Sequence, residues 1–296
     1  MKKIGICGGD VRNAYLAGLL SAKDCEVWIW DLDAAKDSLW ENRIEEAQGR
    51  LAKLHGAESF EALAEQVDVL IGATPLFRYA LPGTTAEETA ERFLRLSKEG
   101  RYFFAGGIPS SWITRAKNAG AVWTDFLRDT RYQELNARLT AEGTLAEMLL
   151  CAVGGLAGNS VLVSGYGSCG KAIAKQLQAN GAEVTVCVRR IESAREAAEA
   201  GLKVCYFEYV EKLLQEFDFV INTVPAGVFG KECIKQLRKD SRLLEIASGA
   251  GGFDMDAIQE SGLQVKRCPG LPGKYAPLCC ARGMLELVEQ VLMENG

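Results

Sequence analysis

At 296 residues, 48% hydrophobic and 25% charged, the chain has the composition of an ordinary globular protein and enough length for two domains. A net charge of −5 with no basic stretch argues against nucleic acid as a partner. No apolar run reaches the ~18 residues of a spanning helix, so no membrane role is expected.

The chain opens directly into a strand at Lys3–Cys7, without the pattern of a signal peptide, and the expected location is cytoplasmic. Further strands are expected at Glu26–Trp30, Val67–Gly72, Tyr102–Ala105 and Ala121–Thr124. Helices are expected at Ala14–Ser21, Phe60–Glu65, Ala86–Leu96 and Ser111–Asn118. This alternation reads as a flavodoxin-like or Rossmann-like domain over residues 1–130. A long helical stretch, Tyr132–Val153, follows. Within it Thr144-Leu145-Ala146-Glu147 has capping-box spacing.

The second half repeats the alternation, with strands expected at Ser160–Ser164, Glu183–Val188, Lys203–Tyr206, Phe217–Asn222, Arg242–Ile246 and Gln264–Cys268. In the last helix, Cys279–Glu294, the residues Met284, Leu287, Val288 and Val291 make one apolar face, which is expected to pack back on the first domain. The fold class is therefore α/β: two doubly wound Rossmann-like domains with an interdomain cleft. The first covers 1–130 plus the closing helix 279–296, and the second covers 131–278.

The most specific motif lies past the middle. Strand Val161–Ser164 runs into Gly165-Tyr166-Gly167-Ser168-Cys169-Gly170, which is G-x-G-x-x-G, and a helical pattern follows from Lys171 to Asn180. Gly165 allows the turn, Gly167 lets the backbone approach a pyrophosphate, and Gly170 lets helix and strand pack closely. The helix N-terminus offers its N–H groups to phosphate. About 20 residues on, where an NAD site places a carboxylate for the ribose 2′-hydroxyl, stand Arg189 and Arg190. Guanidinium pairs with a 2′-phosphate, so the expected cofactor is NADP. The first domain is a poorer nucleotide site: its glycines read Gly5-x-x-Gly8-Gly9-Asp10, and Asp10 would repel a phosphate at the helix entrance. Asp31 there reads as a solvated or capping residue.

Three Gly/Pro-rich loops at strand ends are expected to line the nicotinamide half of the cleft. They start at Asn222-Thr223-Val224-Pro225, at Ala247-Ser248-Gly249, and at Cys268-Pro269-Gly270-Leu271-Pro272. The expected cofactor residues are Gly165, Gly167, Ser168, Cys169, Gly170, Arg189, Arg190, Asn222, Thr223, Pro225, Ala247, Ser248, Gly270 and Pro272. In the first domain Arg12 and Arg128 are candidates to clamp a carboxylate. Asp129 or Glu142 is the candidate general base. No metal site is expected. The ten cysteines form no C-x-x-C pair, Cys7, Cys187 and Cys205 lie in apolar strands as free thiols, and the lone His55 falls in the helical or loop stretch Leu51–Ala64 as a surface histidine.

Taken together, several motifs resemble the family of the dipicolinate synthase A subunit over nearly the whole chain. They are Gly8-Gly9-Asp10 with Arg12, Arg128-Asp129, Glu142-Gly143-Thr144, the glycine fingerprint with Arg189, Ile221-Asn222-Thr223-x-Pro225, Ala247-Ser248 with Gly251-Gly252-x-Asp254, and Pro269–Gly273 with Ala276-Pro277. The resemblance adds Asp10 and Thr144 to the substrate-binding set. It implies NADP-dependent oxidation of dihydrodipicolinate to dipicolinate during sporulation, an oligomeric assembly whose partner is the dipicolinate synthase B subunit, and the mother-cell cytoplasm. One departure stands out. The family continues from Ala-Pro with a Lys-Thr-Ala-Gly-like run, and here the run is Leu278-Cys279-Cys280-Ala281. Two other readings stay open: a dehydrogenase of 2-hydroxyacid-dehydrogenase layout, which normally needs a histidine in its nucleotide domain, and a non-catalytic NADP-sensing module.

Overall fold

The computed structural model describes residues 2–23, 25–76, 80–95, 100–152 and 154–295. The chain divides into two compact units, Met1–Leu135 with Ala276–Gly296, and Asn136–Tyr275.

In the first unit the strands are β1 (Lys2–Cys7), β2 (Cys25–Trp30), β3 (Leu54–Gly56), β4 (Val69–Ile71), β5 (Tyr102–Ala105) and β6 (Val122–Asp125). They lie in the order β3-β2-β1-β4-β5-β6, all parallel. This settles the choice between flavodoxin-like and Rossmann-like order in favour of the latter. The connecting helices are α1 (Val11–Ala22), α2 (Trp40–Glu46), α3 (Phe60–Gln66), α4 (Ala86–Arg95) and α5 (Ser110–Asn118). Strands covered on both faces need apolar residues at successive positions. Accordingly Val69 and Ile71 of β4 enter the core beneath α1, while Leu70 enters the opposite core with Phe60, Phe93 and Phe103.

Helix α6 (Thr130–Leu149) runs from the first unit into the second. The second unit contains β7 (Ser160–Ser164), α7 (Ser168–Ala179), β8 (Glu183–Val188), α8 (Ile191–Glu199), β9 (Lys203–Tyr206) and β10 (Phe219–Asn222). It continues with α9 (Lys231–Gln236), β11 (Arg242–Glu245), α10 (Met255–Ser261), β12 (Val265–Arg267) and α11 (Leu271–Tyr275). Its sheet order, β12-β11-β10-β7-β8-β9, repeats the Rossmann order of the first unit. Val161 and Val163 of β7 face one core and Leu162 the other. Each such fully buried aliphatic side chain contributes roughly 1.5–3 kcal/mol.

Helix α12 (Pro277–Glu294) returns to the first unit and packs on α1. Met284, Leu287, Val288 and Val291, the expected apolar face, are all buried there.

Several sequence expectations need correction. Residues Leu54–Gly56 form an edge strand, not a helix or loop. His55 is half-buried on that strand, its ring 4.9 Å from Trp28. No helix starts at Thr144: α6 passes straight through, and the Thr144 hydroxyl donates to the Thr140 carbonyl at 2.8 Å instead of capping. Helix α6 ends at Leu149, and Val153 and Leu96 lie outside the described residues. The third Gly/Pro-rich loop is partly helical, as α11. Helix α7 begins at Ser168, three residues before the expected start.

Candidate nucleotide site in the second unit

In an open parallel sheet, ligands bind where the strand order reverses, at the carboxyl ends. In the second unit that point lies between β7 and β10. Strand β7 ends in Ser164 and turns at Gly165, whose φ of 87° favours glycine. A Cβ at Gly165 would crowd the Thr223 hydroxyl, and one at Gly170 would collide with the Gly165 carbonyl. A Cβ at Gly167 would meet nothing within 4 Å. The first and third glycines therefore serve internal packing, and the second leaves its surroundings open.

Gly167 is the N-cap of α7 and supplies no side-chain cap; the first turn holds no acidic residue. The opening N–H groups of a 12-residue helix are thus offered outward, as an anion site requires. Ser168 is exposed and Cys169 half-buried; burial pushes the Cys169 thiol up, against a lowering hydrogen bond with Thr140, so it is a neutral group.

Beneath this turn lies a buried polar chain. Asn222 Oδ1 accepts from the Ser164 hydroxyl at 2.5 Å and from the Val224 N–H at 3.1 Å. Asn222 Nδ2 donates to Glu245 Oε1 at 2.7 Å and to the Val224 carbonyl at 2.9 Å. The Thr223 hydroxyl donates to the Ser164 carbonyl at 2.6 Å. Asn222 and Thr223 therefore act on the protein itself, setting the turn that follows β10. Pro225 is exposed just beyond.

Arg189 and Arg190 are exposed at the end of β8, with the Arg189 guanidinium over the Phe207 ring, 5.5 Å from its centroid. Ala247 and Ser248 follow β11; Ala247 donates its N–H to Glu245 Oε1 at 3.0 Å. Gly270 is exposed before α11, and Pro272 is buried within it. These residues fit a dinucleotide: close backbone approach, open helix N-terminus and cationic strand end.

Sequence reasoning missed Glu245, buried at the end of β11. Its signal was a carboxylate closing an apolar run. It also missed Glu147, Lys266, Lys274 and Tyr275. The buried Glu147 carboxylate holds Lys266 at 2.6 Å, Lys274 at 2.5 Å and the Tyr275 hydroxyl at 2.8 Å. Burial alone would raise its pKa; the three donors outweigh this and bring it to about 2.

In the first unit, Asp10 is the N-cap of α1 and pairs with Arg12. The Arg12 guanidinium also donates to the Thr74 carbonyl. The Tyr132 hydroxyl, buried near Arg12, has no hydrogen-bond partner among the described residues. Arg128 and Asp129 stand at the end of β6, three strands away from β1. Arg128 donates to the Ile108 carbonyl at 2.9 Å and pairs with buried Asp125 at 3.3 Å. Asp129 accepts the Tyr132 N–H at 2.8 Å, at the start of α6. Glu142 and Thr144 belong to the second unit, Glu142 exposed and Thr144 fully buried. Asp31 has a φ of 48° and pairs with Lys36 at 3.5 Å. Among the described residues no cluster of three metal-ligating side chains occurs, and no helix is long and apolar enough to cross a membrane.

Residues 127–261 match the D-isomer specific 2-hydroxyacid dehydrogenase, NAD binding domain. The dipicolinate synthase A subunit of Bacillus subtilis (strain 168) is 27% identical over 159 residues, 54% of this chain, and the match spans about half the length of that relative (54%). Among solved structures, the dipicolinate synthase A subunit from Bacillus halodurans superposes with a TM-score of 0.80 at 21% identity, covering 98% of this chain and 97% of that one. Its counterpart from Bacillus subtilis gives 0.79 at 20% identity, covering 99% and 96%. A transhydrogenase from Sinorhizobium meliloti gives 0.62 at 16% identity, covering 97% and 94%. The second unit thus carries a match to a NAD binding domain over most of its length, and the chain resembles the dipicolinate synthase A subunit in sequence and fold.

Proposed function

We propose that the chain is an NADP-dependent oxidoreductase that oxidises dihydrodipicolinate to dipicolinate, working with the dipicolinate synthase B subunit in an oligomer in the mother-cell cytoplasm during sporulation. The observation that carries the cofactor reading is the uncapped N-terminus of α7 at Gly167, with Arg189 and Arg190 exposed where a 2′-phosphate would be read. The substrate reading rests on the resemblance to the dipicolinate synthase relatives.

Bound nicotinamide supplies the hydride acceptor. The chain's part is to orient a small dicarboxylate ring, exclude water and take up one proton. Arg128, half exposed, is the substrate clamp we favour, with Asp10, Arg12 and Thr144 completing the substrate set. Arg12 already balances Asp10, and Thr144 has its hydroxyl on Thr140. Asp129 or Glu142 would take the proton. Asp129 commits one oxygen to the Tyr132 N–H and keeps acceptor capacity on the other.

The second reading, a 2-hydroxyacid dehydrogenase, is favoured by the domain match at residues 127–261. The acid–base histidine such chemistry needs is not in the second unit: the chain's single histidine is His55 on β3 of the first.

The test is calorimetric binding of NADP and NAD, with Arg189→Ala alongside. NADP preference lost in the variant supports the cofactor; no binding of either nucleotide defeats the dehydrogenase reading. Arg128→Ala then tests the substrate clamp: loss of dihydrodipicolinate oxidation with NADP binding intact supports it, and unchanged kinetics removes it.

A further inference from the structure

The register of the second sheet aligns one residue from each strand: Arg267, Glu245, Asn222, Ser164, Cys187 and Cys205 are successive Cα partners across β12-β11-β10-β7-β8-β9. Partners across a parallel sheet project to the same face. The row therefore runs along the carboxyl edge of the sheet, and Glu245 is its buried carboxylate.

Among the described residues, the hydrogen bonds Glu245 receives come from neutral donors. Oε1 accepts from Asn222 Nδ2 at 2.7 Å and from the Ala247 N–H at 3.0 Å; Oε2 accepts from the Gly252 N–H at 2.7 Å. No side chain but a carboxylate supplies two acceptor oxygens at this reach with no donor of its own. The loop is shaped to sit on it. A Cβ at Gly251 would collide with the Glu245 carboxylate, and one at Gly252 with the Asn222 amide. Gly252 carries the hold onward: its carbonyl accepts the N–H groups of Val228 at 3.0 Å and Phe229 at 2.9 Å. Phe229 stacks on Phe253 at 4.9 Å. One carboxylate thus sets the loop after β11 directly and the loop after β10 through Asn222 and Gly252. From outside, Arg267 grips the Gly249 and Ala250 carbonyls at 2.8 and 3.1 Å.

We infer that Glu245 is a positioning residue for the nicotinamide half of the cofactor. It orders the two loops beyond β10 and β11, while the adenosine half depends on β7, α7 and the end of β8. This rests on the nicotinamide-cofactor reading above. It separates the two halves physically, because Glu245 touches neither Gly167 nor Arg189 among its hydrogen bonds.

The experiment measures binding of NADP and of adenosine 2′,5′-bisphosphate, which lacks the nicotinamide half, to the full chain and to Glu245→Gln. Glutamine turns one acceptor into an amide N–H facing a backbone N–H, so NADP affinity is expected to fall about tenfold. Bisphosphate affinity stays within about twofold of the parent. Arg267→Ala, an exposed change that leaves the core intact, is expected to show the same selectivity at smaller amplitude. If both variants bind NADP as the parent does, or lose both ligands equally, Glu245 is a structural residue only and the inference falls. If the parent chain itself binds neither ligand, the cofactor reading fails, and the inference with it.

Discussion

Asp10 accepts the backbone N–H of Arg12 at 3.0 Å and holds the guanidinium of the same residue at 2.9 Å through Nε and 2.7 Å through Nη2. The N-terminus of α1 is thereby closed by an anion belonging to the chain. The corresponding helix of the second unit, α7, starts at Gly167 with no side-chain cap. Two sheets of the same strand order thus present opposite electrostatics at their switch points. A phosphate arriving at α1 meets a carboxylate already in place, and one arriving at α7 meets open N–H groups.

Arg12→Ala should leave nucleotide affinity unchanged, because the pair belongs to the first unit. Stability should fall by about 2 kcal/mol, below the roughly 3–5 kcal/mol of a fully buried pair because Asp10 is half exposed. Urea titration measures the loss. A stable variant with weakened NADP binding would contradict this assignment of Arg12.

Arg189→Ala should weaken NADP by about 2 kcal/mol, roughly thirtyfold, and leave NAD within about twofold, since a charge-assisted bond to the 2′-phosphate is lost. Phe207→Leu should reproduce part of this, because the ring holds the guanidinium over its face. Calorimetry with both dinucleotides reads the ratio directly. Equal loss for both would mean that Arg189 supports the strand end instead of reading the phosphate.

Tyr132→Phe should stabilise the protein by about 1 kcal/mol. The hydroxyl is buried without a partner among the described residues, and phenylalanine fills the same space without the desolvation cost. Thermal melting monitored by circular dichroism tests it. A lowered melting temperature would show that the hydroxyl has a partner, such as an ordered water.

Glu147 sets an acid limit. Its pKa falls from the ordinary 4.5 to about 2, because Lys266, Lys274 and the Tyr275 hydroxyl outweigh burial. A carboxyl whose folded pKa is depressed contributes stability that is fully present above the unfolded value and is lost as pH falls toward the folded one. Here that window runs from 4.5 down to about 2, and the contribution is roughly 3 kcal/mol. Glu147→Gln should lose this amount at neutral pH, and its stability should depend less on pH within that window than that of the parent. Denaturant titrations at stepped pH measure both. Parallel curves for variant and parent would show that Glu147 has no such role.

The apolar runs and the glycine turn were legible in the chain because strands covered on both faces must be continuously apolar, and a close backbone approach admits only glycine. Strand β7, the turn at Gly165 and the apolar face of α12 needed no more than this. Strand β3 escaped because three residues carry too little periodicity. The capping-box spacing at Thr144 misled because local hydrogen bonding yields to a helix whose packing continues through it: Thr144 is fully buried and turns its hydroxyl to Thr140. The pairings Asp10–Arg12, Glu147–Lys274 and Asn222–Glu245 differ in kind. The first joins near neighbours in the chain and could be read locally. The last two join residues 127 and 23 positions apart. The alignment of Glu245 with Asn222 and Ser164 exists only once β11, β10 and β7 lie side by side in register. Sequence alone determined most of the strands and the place of the glycine turn. The strand order and register, set by packing across the whole sheet, decided which polar residues meet beneath it.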